Sequence, residues 1–551
     1  HRDLHSFPTR RSSDLASGEE SLTCRFQVRP EQSGILLYQV RAMAEESRLT
    51  SEVDSPEATL ANNPRWAVVD RTGGPYRVLY VAGRPNWEFK FLNRGLAEDE
   101  QVEVVGLIRV ARREPRFEFR GREGESSNPL FRGFDRTSEE TERYDQPVLV
   151  RFNPRDPAEL AGGFPMDAGT LFAYDGIVID DLEAGFFTHD QLNLIQRFVS
   201  ERGGGLFLLG GTESFREGGY ERTPVGSMLP IYLDHEPVPS GAGEFRLELT
   251  REGALEPWLR LRSSEAGEQA RYEELVPVRV LNRARDLKPG ASLLAVVKDA
   301  QGEVYPALAA QRFGWGRVAV MLVGDIWRVG LRSEATQADL QKGWRQWLRW
   351  LVADVPDRVA LQPSQAPDES GAVRLQTRVR DAEYRPLEDA TVTLTVRHMT
   401  NAMSAALAGN AIESAPVVLR LTAEPSGGEA GLYETTFAPR ADGAYVVEAT
   451  VVDAQGVSVG SAEAGWTSDF AAEEFKSLTP DRALMTRLAQ ATGGRVLRPD
   501  DLDALVRDLP RRSAPITETV SEPIWHRSAV FLFALGCFIL EWGLRRRKGL
   551  A

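Results

Sequence analysis

Arg77-Val-Leu-Tyr-Val81 is an unbroken apolar run, Gly83-Arg84-Pro85 follows it as a turn, and Asn86-Trp87-Glu88-Phe89-Lys90-Phe91-Leu92 then reads as a helix. A strand without polar alternation is covered on both faces, and a strand that hands over to a helix belongs to a parallel sheet. The rhythm recurs downstream. Residues 102–110 read as a second strand, Tyr174-Asp-Gly-Ile-Val-Ile-Asp180 as a third, 206–209 as a fourth and 318–323 as a late one. Thr188 is placed to cap a helix over 189–202 that puts Leu192, Ile195, Phe198 and Val199 on one face, and Gly203-Gly-Gly ends it. Residues 340–352 form a Trp-rich amphipathic pattern with Trp344, Trp347, Leu348 and Leu351 inward. Together these predict a doubly wound, parallel-sheet α/β domain over 75–355. The charged, strand-like stretch at about 240–310 reads as a β-insertion.

The flanks change period. Upstream, 16–70 alternates through Cys24-Arg-Phe-Gln-Val28, turns at 29–34, and alternates again around Leu37-Tyr38 and from Trp66. It resembles the last strands of an immunoglobulin-like β-sandwich. Downstream, 360–467 alternates again. Val373, Leu375, Thr377 and Val379 share one face, as do Val392, Leu394 and Val396, which predicts a second immunoglobulin-like sandwich. Residues 470–512 form a small αβ segment. Thr479-Pro480 opens a helix that Gly493-Gly494 stops, Val496-Leu497 is a short strand, and Asp500 caps a last helix. A linker at 513–527 follows.

Both ends are unusual. Residues 1–15, HRDLHSFPTRRSSDL, have no apolar run or periodicity and resemble a translated sequencing adaptor, so the natural protein is expected to begin upstream. Residues 528–544, SAVFLFALGCFILEWGL, are apolar all round, with Trp525 and Trp542 at the two ends and Arg545-Arg-Arg-Lys548 directly after. About 17 residues at about 1.5 Å each is near the lower limit for crossing a bilayer. The basic tail at 545–551 is then cytoplasmic and the body outside the cytoplasm. This predicts a bacterial inner-membrane protein with a periplasmic body and the lipid bilayer as a partner.

Composition removes several classes of function. The 551 residues carry Lys+Arg 66 against Asp+Glu 80, a net charge of −14, which is the wrong sign for a phosphate-backbone binder, so no nucleic-acid partner is expected. The 2 cysteines, Cys24 and Cys537, support no disulfide framework, zinc ribbon or iron–sulfur cluster within one chain.

The α/β stretch resembles the class I glutamine amidotransferase-like fold, and more closely the membrane-anchored bacterial proteins of that type, often associated with von Willebrand factor A-type domains. The resemblance rests on Val78-Leu-Tyr-Val-Ala-Gly-Arg-Pro-Asn-Trp-Glu88, Tyr174-Asp-Gly-Ile-Val-Ile-Asp-Asp181, Gly204-Gly-Leu-Phe-Leu-Leu-Gly-Gly-Thr-Glu-Ser-Phe215 with Gly218-Gly219-Tyr220, and Gly324-Asp325-Ile326-Trp327. It covers about half the chain. Active members carry a cysteine on the elbow after the strand at 206–209, with a histidine and an acid to activate it. Here the elbow reads Gly210-Gly211-Thr212-Glu213-Ser214, no cysteine occurs in 25–536, and after His235 the next histidine is His398. The usual triad is absent, so the resemblance implies a degenerate domain.

A substitute is conceivable in Ser214 with His189 or His235, but a Ser after glycines more often caps a turn, and His189 sits beside a helix cap. Ligands of open α/β sheets bind beyond the carboxyl ends of the strands. Arg84, Asn86, Asp180, Asp181, Ser214 and Asp325 fall there, with Gly210 and Gly211 as a loop that either cradles a ligand or simply turns. Trp87 and Trp327 are pocket walls or core. The adjacent acids Asp180-Asp181 point apart, so no metal is expected, and no cofactor is called for. The expected function is therefore a membrane-tethered, extracytoplasmic binding or assembly module with protein partners in a membrane complex. The alternatives are a hydrolase with a non-cysteine nucleophile in the same crevice, and a carbohydrate-associated module.

Overall fold

A computed structural model describes residues 30, 34–42, 63–71, 73–97, 99–111, 148–235, 243–365, 371–399, 417–468, 481–508, 523–524 and 527–549. The adaptor-like start, Cys24 with its strand, the helix opening at Thr479-Pro480, Trp525 and most of the linker at 513–527 lie outside them. The chain forms two units, His1–Lys476 and Ser477–Ala551.

Among the described residues the first unit is mixed α/β with three sheets. β1 (Gly34–Arg41) and β2 (Pro64–Arg71) form an antiparallel hairpin. Nine strands form the central sheet: β3 (Tyr76–Ala82), β4 (Val102–Ala111), β5 (Val148–Phe152), β6 (Gly176–Asp180), β7 (Gly205–Leu209), β8 (Arg246–Leu249), β9 (Ser292–Lys298), β10 (Val304–Phe313) and β11 (Gly316–Met321). Their order is β5-β4-β3-β6-β7-β11-β10-β9-β8. β4, β3, β6, β7 and β11 run parallel, whereas β5 and the β10-β9-β8 edge are antiparallel. The expected parallel strands are thus part of a larger, mixed sheet. Phe313-Gly314-Trp315-Gly316, with Gly314 at φ +58°, joins β10 to β11 by a hairpin too short for the crossover that parallel strands require. The stretch at 240–310 continues this same sheet with β8, β9 and β10 and carries two helices, Arg251–Leu255 and Glu265–Glu273.

Two adjacent glycines show how helices cover both faces. A Cβ at Gly204 would lie 2.2 Å from the Phe198 ring, whereas one at Gly205 would lie 2.3 Å from the Leu351 carbonyl. Neighbouring strand residues point to opposite faces, so the helices His189–Ser200 and Glu334–Val352 lie on opposite sides of β7, close enough to exclude any side chain. The first is opened by a complete capping box, Thr188 with Gln191, and the second by Ser333 with Thr336.

The third sheet is antiparallel and sandwich-like: β12 (Val359–Gln365), β13 (Val373–Val379), β14 (Thr391–Met399), β15 (Val417–Pro425), β16 (Leu432–Phe437), β17 (Gly443–Val452) and β18 (Ser458–Ser468), in the order β12-β13-β16-β15-β14-β17-β18. Val373, Leu375, Thr377 and Val379 are buried, as are Val392, Leu394 and Val396, as the alternation predicts. Tyr445 folds its hydroxyl back onto the Ala441 carbonyl at 2.9 Å, a corner familiar from immunoglobulin-like sandwiches. The β1–β2 hairpin lies against β18: a Cβ at Gly465 would be 2.8 Å from Ile35 and 3.0 Å from Val68.

In the second unit, the helix Arg482–Ala491 is capped by Asp481, whose carboxylate accepts the Leu484 N–H at 2.9 Å. Gly493 at φ +72° follows its end, and Leu502–Asp508 is the next helix. Val496-Leu497, expected as a strand, has no strand pairing. The helix Ser528–Arg547 is 20 residues long and includes an 18-residue stretch with a mean hydropathy of 1.5, long and apolar enough to cross a membrane. It runs past residue 544 through the arginines, where Glu541 pairs with Arg545 at 2.7 Å.

Candidate functional site

The carboxyl ends of β3, β6 and β7 converge, and the turns after them interlock. Gly83 donates its N–H to the Asp180 carbonyl at 3.0 Å, and a Cβ on Gly83 would meet the Asp181 carbonyl at 1.9 Å. Only glycine permits that approach. Asp181 takes φ +43° and turns its side chain towards the elbow after β7. There its Oδ1 accepts the Glu213 N–H at 2.7 Å and its Oδ2 pairs with Arg84, which also reaches the Thr212 hydroxyl at 3.3 Å. A Cβ on Gly211 would fall 2.2 Å from the Asp181 carboxylate, so this glycine is required by packing. Gly210 is pressed against the backbone of Leu322 and Val323 in the same way.

Asp180 is buried at the end of β6, and its Oδ2 accepts from both the Tyr80 hydroxyl and the Asn86 amide. Asn86 also caps the helix Trp87–Leu96 by accepting the Phe89 N–H at 3.0 Å, so one side chain ties the helix to β6. Burial, opposed by those two hydrogen bonds, raises the Asp180 carboxyl to about 6. Glu88, in the first turn of the same helix, is raised to about 8 by burial and by the charges of Asp180, Asp325 and Asp181. Tyr80 is held well above its ordinary value by burial and by Asp180.

Beneath this layer lies Arg109 of β4. Its guanidinium is bidentate to Glu183 at 2.6 and 2.8 Å, reaches Glu213 at 3.4 Å, and donates from Nε to the Gly83 carbonyl at 3.0 Å. It holds Glu183 down to about 2. Asn282 performs a similar service at the elbow. Its side chain accepts the Gly211 N–H at 3.0 Å and donates to the Gly211 carbonyl at 2.9 Å.

The expected residues therefore divide. Arg84, Asn86, Asp180, Asp181 and Gly211 lie together at these strand ends. Asp325, at φ +53° beyond β11, accepts the Arg279 N–H at 3.1 Å and pairs with Arg328, while its charge reaches Glu88. Trp87 stacks on Trp327 with ring centroids 5.7 Å apart and is 46% exposed, so it forms a rim. Ser214 is corrected from crevice lining to buried scaffold: it is 2% exposed and its hydroxyl donates to the Leu209 carbonyl at 2.7 Å. His189 is exposed beside its cap, and His235 pairs with Asp286 at 2.8 Å while stacking on Tyr232. Neither completes a triad with Ser214.

Tyr80, Glu88, Arg109, Glu183, Glu213 and Asn282 were not anticipated. Arg109 left one legible signal, a charge in the otherwise apolar run 104–110, which is costly to bury unless paired. Among the described residues no set of three or more His, Cys, Asp or Glu has the arrangement of a metal site. What the assembled groups can do is hold protons: Asp180 at the end of β6 and Glu88 in the first turn of the helix Trp87–Leu96 both have raised proton affinity, and the charge of Asp180 acts on Glu88.

No protein-family model and no curated protein matches the chain. Solved structures that are similar include a carbohydrate deacetylase, Agd3 (13% identity over 50% of this chain and 32% of that one, TM-score 0.26). Others are an exo-β-1,4-mannosidase from Opitutaceae bacterium strain TAV5 (14%, 50% and 36%, 0.24) and a β-galactosidase from Rahnella sp. R3 (14%, 48% and 33%, 0.20). The chain spans about a third of the length of each, and likenesses at this level assign it no activity and no ligand.

Proposed function

We propose that the chain is a membrane-tethered, extracytoplasmic binding or assembly module whose α/β body is a catalytically degenerate relative of the class I glutamine amidotransferases. One observation carries the reading. At the elbow, where a nucleophile would stand, the polar groups answer one another: Ser214 with Leu209, Gly211 with Asn282, and Glu213 with Asp181. A nucleophile needs a hydroxyl or thiol presented to substrate beside a base free to take its proton; here Ser214 is buried, and the exposed Thr212 hydroxyl is engaged by Arg84 at 3.3 Å, which also pairs with the neighbouring Asp181 carboxylate. The terminal helix, closed by Arg545-Arg-Arg-Lys548, supplies the tether, and the positive-inside rule puts the body in the periplasm with the tail in the cytoplasm of a bacterial inner membrane. Protein partners in a membrane complex, including one with a von Willebrand factor A-type domain, belong to the same reading.

The test uses the full chain in detergent micelles. It is expected to release no ammonia from glutamine above the buffer blank, and externally added protease is expected to degrade the body on intact spheroplasts. Steady ammonia release abolished by Thr212→Ala or Ser214→Ala would overturn the catalytic half of the reading. A body protected from external protease would overturn the topological half.

A hydrolytic alternative has one observation in its favour. Glu88 and Asp180 are both raised above the ordinary carboxylate range by burial and by neighbouring acids, as proton-carrying carboxyls of hydrolases are. Labelling of Ser214 by a serine-directed probe, or turnover lost in Glu88→Gln, would favour it.

A further inference from the structure

One face of the helix Glu334–Val352 carries a stripe of cations. Lys342, Arg345 and Arg349 follow one another at spacings of three and four, which sets them side by side on the helix surface. Trp344, Leu348 and Leu351 are the buried face. No acid stands three or four residues from Arg345 in either direction: those places hold Gln341, Lys342, Leu348 and Arg349. Like charges at these spacings repel, so the stripe weakens its own helix. The negative end of the helix dipole accounts for Arg349 in the last turn, and not for Lys342 or Arg345.

The stripe walls a pocket of about 360 Å³. Its other walls are the turn Asp99-Glu100-Gln101, which leads into β4, and Arg71, the last residue of β2. The pocket therefore lies where the β1–β2 hairpin meets the α/β body, and junctions of this kind are common places for ligands. Four cations face two carboxylates there, in a chain whose overall charge is −14. One of the carboxylates is already committed: Asp99, its side chain wholly buried, accepts the Gln101 N–H at 2.9 Å and pairs with Arg349 at 2.7 Å. Lys342 donates to the Leu261 carbonyl at 3.0 Å, which fixes its position without neutralising its charge. Arg71 is anchored by the Pro30 carbonyl at 2.7 Å. Arg345, half-buried between Lys342 and Arg349, has no hydrogen-bond or ion-pair partner among the described residues.

We propose that this pocket binds the phosphoryl group of a phosphomonoester, held chiefly by Arg345 with Lys342 and Arg349 beside it. The excess of two cations over carboxylates matches a doubly charged group, and a guanidinium fork meets two phosphoryl oxygens at once. At about 360 Å³ the pocket is near the small end of the range of about 300–1,000 Å³ for ligand sites, which suits a phosphorylated head rather than a long chain. The bound anion ties the helix to the end of the β1–β2 hairpin through Arg71. A soluble phosphomonoester and the headgroup of a phosphatidic acid share this chemistry. The pocket lies by the amino end of β4, away from the β3–β6–β7 crevice at the carboxyl ends, and stands or falls independently of it.

The test is isothermal titration calorimetry of the full chain in non-ionic detergent micelles at fixed ionic strength, with protein-free micelles as the blank. The probes are glycerol 3-phosphate as a soluble monoester, dihexanoyl phosphatidic acid as a lipid headgroup, and citrate as an anion without phosphorus. Saturable binding of a phosphomonoester is expected, with citrate weaker. Arg345→Gln is expected to weaken it about tenfold or more, whereas Arg312→Gln, at an exposed cation outside the pocket, leaves it unchanged. Tighter binding of glycerol 3-phosphate assigns the site to a soluble ligand, and tighter binding of the lipid assigns it to a headgroup. No saturation by about 1 mM of either phosphomonoester, or citrate binding as tightly as the better of them, would overturn the proposal. So would unchanged affinity in folded Arg345→Gln, or an equal loss in Arg312→Gln. If Arg345→Gln fails to fold, phenylglyoxal labelling of the unaltered protein decides: slowed modification of Arg345 on adding the tighter phosphomonoester supports the site, and unchanged modification refutes it.

Discussion

Arg84 and Arg109 reach the same crevice from different depths. Arg84 is 59% exposed and its partner Asp181 keeps the Glu213 N–H when Arg84 is lost, so Arg84→Ala is expected to cost about 1 kcal/mol in urea unfolding. Arg109 is buried, and its removal leaves Glu183 and Glu213 facing each other across a vacated site, so Arg109→Ala is expected to cost about 3–5 kcal/mol. A larger loss for Arg84 than for Arg109 would show that the surface pair holds the turns together. Glu88 and Asp180 both shape the pH response, Glu88 at the higher pH. A carboxyl raised from 4.5 to about 8 binds its proton more tightly in the folded chain than in the unfolded one. Its contribution is complete below pH 4.5 and is lost as pH rises towards 8, because the unfolded chain then holds fewer protons than the folded one. Glu88→Gln is accordingly expected to flatten the fall in stability between pH 5 and pH 9, read from urea midpoints. An unchanged slope would remove Glu88 as its source.

Local signals predicted the elements well where they were chemical. Thr188 was placed as a cap, and it forms both bonds of a capping box with Gln191. Thr188→Ala is expected to cost about 1 kcal/mol, while His189→Ala, at an exposed first-turn position, is expected to leave the melting temperature unchanged. Equal effects in a thermal melt would contradict the capping account. The same local logic failed for Ser214. A serine after glycines was legible as a turn residue, but its direction, inward to the Leu209 carbonyl, depends on how the elbow packs. The strand-like reading of 240–310 carried no strand direction, because alternation specifies that a strand exists and not which neighbour it joins.

Arg202 joins the two large parts of the first unit. It is 2% exposed and donates to the carbonyls of Phe172 at 3.1 Å and Pro356 at 2.6 Å. It also pairs with Asp175 at 2.8 Å and lies 3.8 Å from the centre of the Tyr384 ring, which belongs to the sandwich. Arg202→Ala is expected to cost about 3–5 kcal/mol and to speed protease cutting near residues 355–358. Unaltered cutting would mean that the sandwich is held by other contacts. The terminal helix makes a separate prediction: a reporter active only in the cytoplasm should work when fused after Ala551 and fail when inserted at residue 515. The reverse pattern would sink the topology.

Periodicity and glycine chemistry alone determined the strand–helix rhythm of 75–355, the alternating faces of β13 and β14, and the apolar terminal helix, because each follows from covalent neighbours and the 2.0 or 3.6 repeat. The sequence also placed Arg84, Asn86, Asp180 and Asp181 at strand ends, since parallel strands deliver their following turns to one edge. Only the tertiary structure decided that β10, β9 and β8 extend the sheet by antiparallel pairing, that Ser214 is scaffold, and that Tyr80, Glu88 and Arg109 set the charge of the crevice. Those outcomes depend on pairs as far apart as Arg109 and Glu183 or Tyr80 and Asp180. Burial makes such long-range pairs strong, and nothing in the local sequence around either partner encodes which partner it will meet.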